Sequence, residues 1–139
     1  MDVTMPDLKS KVPETEKITI NLGYVDLGQI DLLVSEGFYS NRTDFIRTAI
    51  RNQLDRQGEV VRRSIGRREL DLGLRVITRA DLEGYQARRE VLHIKVVGLA
   101  TIATDVTPEL ARATIGSLDV LGALQASAEI RAALRDRMR

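Results

Sequence analysis

"EKITINL", residues 16–22, places Ile18, Ile20 and Leu22 on one side of a two-residue period and Lys17, Thr19 and Asn21 on the other. That alternation predicts a half-buried β-strand, because successive side chains of an extended chain point to opposite faces. Two helical segments come next rather than a second strand. The pairing partner must therefore come from outside the strand's own neighbourhood.

The helical segments are well signalled. Asp26 with Gln29 fits a capping box, and Val25 with Ile30 fits a hydrophobic staple around it. Leu27, Ile30, Leu33 and Val34 share one helical face, and Gly37 follows as a stop. "SNRTDFIRTAIRNQL" (40–54) opens a second helix, with Asn41 and Asp44 as its N-terminal box. Phe45, Ile46, Ala49, Ile50 and Leu54 supply its apolar side, and Gln57-Gly58 ends it. One strand and two short helices bury too little alone. A second copy of the chain is the simplest repair. Two strands would pair antiparallel across a two-fold axis over a shared core of Ile18, Ile20, Leu22, Ile30, Leu33, Ile46 and Ile50. Lys17, Thr19 and Asn21 of both chains would then lie together on the open face.

"KITINL", taken with "IDLLVSEGFYSNRTDFIRTAIRNQL", resembles the ribbon-helix-helix DNA-binding fold, the class of the Arc, MetJ and CopG repressors. The likeness covers residues 16–57. Its most specific part, "GFYSNRTDFIRTAIR", is similar to the glycine–turn–NRSExIR pattern that opens the family's second helix. Gly23 departs from the pattern, since many members have proline after the strand. The resemblance implies an obligate dimer whose paired strands enter the major groove of double-stranded DNA. It implies base readout by Lys17, Thr19 and Asn21, and phosphate contacts at the turn carrying Asn41, Arg42 and Thr43. The chemistry suits these roles: lysine donates to guanine, asparagine pairs both ways with adenine, and a helix N-terminus offers free N–H groups to phosphate. A solvated strand face favours the same three residue types, and Asn41 would cap its helix in any case.

The rest of the chain is less specific. Residues 1–15, with Pro6, Pro13, Lys9 and Lys11, read as a flexible arm. Residues 58–70 read as a basic linker whose Arg62, Arg63, Arg67 and Arg68 either follow the DNA backbone or are simply solvated. Residues 71–139 read as an α/β interaction or oligomerisation domain. Within it "LGLRVITRADL" (72–82), "VGLATIATDV" (97–106) and "LGALQASAEI" (121–130) each set a glycine before an apolar run. Gly73, Gly98 and Gly122 are thus 25 and 24 residues apart. That period suits a solenoid-like stack or an ordinary α/β domain, and both readings stay open. "VLHIKVVGLATI" and "SLDVLGALQA" read as strands, and "TPELARATI" and "SAEIRAALRDRM" as helices. Asp81, Asp105, Asp119 and Glu129 read as turn and cap residues.

Composition narrows the function. The 139 residues carry a net charge of +1 and no cysteine, so disulfides, thiolate metal sites and a cysteine nucleophile are excluded. His93 lacks companions at ligand spacing, so no metal site and no cofactor is expected, and no catalytic constellation argues for an enzyme. No apolar run is long enough for a membrane span. The expectation is an α+β, cytoplasmic, nucleoid-associated homodimer that regulates transcription by binding specific DNA, joined into higher oligomers through its C-terminal domain. The competing readings are an antitoxin whose C-terminal region grips a toxin, and a DNA-anchored structural protein that polymerises.

Overall fold

The computed structural model describes residues 15–139, so the flexible-arm reading of residues 1–14 lies outside the described residues. The chain divides into two units, Met1–Val60 and Val61–Arg139.

In the first unit, helix α1 (Tyr24–Ser35) and helix α2 (Arg42–Arg56) are joined by a tight turn. Gly37, at φ +88°, allows the turn to close: its N–H donates to Val34 O and the N–H of Phe38 to Leu33 O, each at 3.0 Å. These bonds satisfy carbonyls that a helix end otherwise leaves open. The expected capping box of Asp26 and Gln29 does not form. Gly23 is the N-cap without a side-chain bond, Asp26 lies in the first turn, and Gln29 donates instead to Val25 O. The helix starts three residues earlier than the box implied. At α2 the box is present in modified form. Asn41 Oδ1 accepts from Asp44 N at 2.8 Å, while Asp44 Oδ2 accepts from Ser40 N rather than from the cap residue itself. Residues 15–23 form neither helix nor paired strand within one chain. Ile30 is the one buried apolar side chain of this unit among the described residues.

Gln57 caps α2, but Gly58 does not end helical structure. The segment read as a basic linker is helix α3 (Gly58–Arg68). The second unit then alternates strand and helix: β1 (Asp71–Ile77), α4 (Arg79–Arg88), β2 (Leu92–Ile102), α5 (Pro108–Thr114), β3 (Ile115–Gln125) and α6 (Ala128–Leu134), closed by a 3₁₀ turn at Arg135–Arg137. Thr78, Thr107 and Ser127 cap α4, α5 and α6 through their hydroxyls. The three strands form one parallel sheet in the order β1-β2-β3. Connections that pass through a helix are what parallel neighbours require. One sheet face packs against the helices around Ile94, Val96, Leu118, Leu82, Leu110, Ile130 and Leu134. Asp119 belongs to β3 rather than to a turn, and Arg68 Nη2 binds its carboxylate at 3.1 Å.

Gly73, Gly98 and Gly122 stand in one row across the sheet. Their φ angles of +127°, +139° and +119° fall where only glycine is at ease. A Cβ on Gly98 would lie 2.1 Å from the Gly73 carbonyl oxygen, and one on Gly122 would lie 2.1 Å from that of Gly98. Around Gly73 nothing lies within 4 Å. Gly98→Ala is therefore expected to destabilise the sheet by roughly 2–4 kcal/mol, combining backbone strain with overlap against main chain. Gly73→Ala, with strain alone, should cost roughly 1–2 kcal/mol. Thermal unfolding of the two variants checks the difference; equal losses would show that the close approach is not what fixes the row.

Candidate nucleic-acid interface

Both faces of residues 16–22 are bare in the single chain. Lys17, Thr19 and Asn21 are exposed, and Ile18 and Ile20 are 71% and 60% exposed. Exposed polar residues on such a stretch are ordinary; exposed isoleucines alternating with them are not. The apolar side adjoins a groove of about 440 Å³ lined by Ile20, Leu22, Ile30, Leu33, Phe45, Ile46, Ala49 and Ile50, with Asp26 and Gln29 as its polar members. Six of the seven residues expected to form a shared core line that one groove, and Ile18 is the seventh. The turn before α2 is stiffened by Tyr39 and Phe45, whose rings meet edge to face with centroids 5.0 Å apart.

At the start of α2 Asn41 is the N-cap, and Arg42 and Thr43 lie in the first turn. Asn41 consumes the N–H of Asp44, which leaves those of Arg42 and Thr43 for an outside acceptor. The side chain of Arg42 is engaged within the chain. Its Nε and Nη2 donate to the two carboxylate oxygens of Asp31 on α1, both at 2.8 Å. This bidentate bond fixes the planes of both groups and ties the two helices together. The Arg42 guanidinium holds the Asp31 carboxyl below its ordinary range, and Asp31 raises Arg42 in turn. Both side chains are half exposed.

Sequence reasoning missed this clamp because a pair eleven residues apart across a helix–turn–helix obeys no local spacing rule. It also left Tyr39 out, although an aromatic residue just before an N-cap, facing another in the first helical turn, is a staple-like signal. Arg62, Arg63, Arg67 and Arg68 all lie on α3, where Arg68 is paired with Asp119. His93 is exposed on β2 and its Nδ1 lies 2.8 Å from Ser117 Oγ. Among the described residues no helix is long and apolar enough to cross a membrane.

Residues 13–131 match the model of the "Ribbon-Helix-Helix transcriptional regulator family". The match extends well beyond the helix pair, into the last helix of the parallel sheet. No curated protein and no solved structure matches the chain.

The Asp31–Arg42 bond has a pH signature. Because Asp31 titrates below its unfolded range, its stabilising contribution is present at neutral pH and is lost as acid protonates the folded carboxylate. Asp31→Asn should be less stable than the parent at pH 7, and the two should converge in strong acid. Urea unfolding across this range measures it. A constant gap at every pH would mean the loss comes from something other than the ion pair.

Proposed function

Because the chain belongs to the ribbon-helix-helix transcriptional regulator family, we propose that it is a sequence-specific DNA-binding regulator that works as a homodimer. Residues 16–22 of two chains pair antiparallel into a ribbon. Lys17, Thr19 and Asn21 of that ribbon read base edges in the major groove, which is wide enough for a two-stranded ribbon. The observation that carries this reading is the open apolar groove beside the two bare isoleucines. Covering Ile18, Ile20 and Leu22 on two chains contributes on the order of 10 kcal/mol. Association costs about 4–15 kcal/mol, so the groove residues must close as well for a stable dimer. Asn41, Arg42 and Thr43 would hold the phosphate backbone, with Arg42 either sharing its charge between Asp31 and phosphate or exchanging one for the other. Arg62, Arg63, Arg67 and Arg68 would add contacts without sequence reading. The activity is expected where the DNA is, in the nucleoid.

The C-terminal unit serves assembly, joining dimers bound at neighbouring sites. Its three strand–helix pairs are taken as copies of one repeat, a reading supported by the common glycine row and by capping residues at like positions before each helix.

Lys17→Ala and Asn21→Ala should each weaken binding to a selected operator by roughly 1–3 kcal/mol while leaving dimer mass and thermal midpoint nearly unchanged. Titration on cognate and random DNA measures this; full affinity in both variants would remove the ribbon from readout.

Arg42→Ala should lower affinity for cognate and random DNA by similar factors and flatten the salt slope by about one unit. Asp31→Asn frees the guanidinium and removes a nearby negative charge, so it should strengthen binding to both. If neither variant changes DNA affinity or its salt slope, Arg42 is an internal strut and does not touch phosphate.

A further inference from the structure

The two edges of the C-terminal sheet are finished differently. Along the outer side of β3, Leu118 bridges to Met138, the N–H of Arg139 donates to Leu118 O at 2.9 Å, and Arg131 donates to Leu124 O. The end of the chain thus covers that edge. Among the described residues no strand lies along the free side of β1. Leu72, Leu74 and Val76, on the sheet face opposite the one covered by α4, α5 and α6, are 71%, 65% and 60% exposed. An uncovered seven-residue edge with three bare aliphatic side chains is a template for another strand, and proteins commonly blunt such edges with charge, proline or a covering element.

The sequence of β1, "DLGLRVI", is self-complementary about its glycine. In an antiparallel pair of two β1 strands centred on Gly73, Asp71 of each lies opposite Arg75 of the other, and Leu72 opposite Leu74. Directly opposed residues share a face, and opposite charges and aliphatic pairs stabilise such ribbons. Slipping the pairing register by one residue sets Asp71 against Leu74 or Val76 instead, and slipping it by two sets Asp71 against Gly73 or Ile77. Within one chain Arg75 Nη1 reaches Asp71 Oδ2 at 3.4 Å, so the charges already lie on a common face. The open space around Gly73, where Gly98 and Gly122 each meet a neighbouring carbonyl, leaves room for a close approach.

We propose that β1 pairs with β1 of a second copy across a two-fold axis at Gly73, joining two three-stranded sheets into one of six. The inference deepens the assembly role given to the C-terminal unit and rests on it, but it does not need the N-terminal ribbon. Only residues 69 and 70 separate α3 from β1, so any other link between two chains raises the local concentration of one β1 for another.

The full chain has no cysteine, so introduced thiols report cleanly. Opposed Cα atoms in an antiparallel pair lie about 4.5–5.5 Å apart, within disulfide reach. Leu72→Cys and Leu74→Cys chains, refolded together and oxidised, should give mixed disulfide dimers in several-fold higher yield than either chain alone. Asp71→Arg, which sets arginine against arginine twice, should cut that yield at least tenfold, and adding Arg75→Asp should restore it. A mixed yield no higher than that of the single chains, or one untouched by Asp71→Arg, overturns the proposal. Ile46→Asp in the N-terminal groove separates the two interfaces by light scattering. If Ile46→Asp lowers the mass while the 72–74 link never forms, edge pairing alone is lost. If the link forms while Ile46→Asp leaves the mass unchanged, edge pairing stands and the N-terminal dimer reading fails.

Discussion

Among the described residues of the N-terminal unit Ile30 is the one buried apolar side chain, too little of a core to hold the unit, and the other features of this unit follow from that shortage. The helix pair is fixed by short-range devices: a glycine-closed turn, an Asn41 cap, an edge-to-face ring pair and the Asp31–Arg42 clamp. These set the angle between α1 and α2 but cover little apolar surface. They hold open a groove whose lining, apart from Asp26 and Gln29, is apolar and gains by leaving water. A second copy of residues 16–50 has the matching chemistry, because a two-fold interface places the same patch on both sides. In the proposed dimer, dimerisation and DNA reading would be one event: a strand closing the core with its isoleucines would display Lys17, Thr19 and Asn21 by the same alternation.

The C-terminal unit is built on the opposite principle. Fourteen buried residues, thirteen from the three strands and the three following helices and Val106 from the loop after β2, make a continuous core within one chain. What it leaves incomplete is a sheet edge rather than a core. Arg131, Met138 and Arg139 finish the β3 side, whereas β1 ends in bare leucines. One unit thus lacks apolar cover and the other lacks a strand neighbour, and both deficits are of a kind that another copy of the same chain supplies.

Much of this was legible in the sequence where the signal is local. The Asn41 cap and Gly37 depend on neighbours a few residues away, and the glycines spaced 24 to 25 residues apart do fall on one row of the sheet, whereas the period-two run at 16–22 forms no strand within one chain. The Asp26 box failed because Gly23 lets the helix begin earlier without a cap side chain. The linker reading failed because its basic residues are good helix formers and Gly58 does not outweigh them. Asp119 read as a turn residue because aspartate is rare in strands; its pairing with Arg68, 51 residues earlier, is a long-range fact that no spacing rule carries. The Asp31–Arg42 clamp was hidden for the same reason, and it changes the chemistry proposed for Arg42 from a free cation to a shared one.

The claim on which the rest turns is that residues 16–22 acquire their strand partner from a second chain. Amide hydrogen exchange of the full-length protein over a range of concentrations addresses it most directly. Alternate N–H groups between Glu16 and Leu22 should be protected, with protection that weakens on dilution as the dimer dissociates. Exchange of these amides at unstructured-chain rates, at every concentration and with the protein otherwise folded, would contradict it.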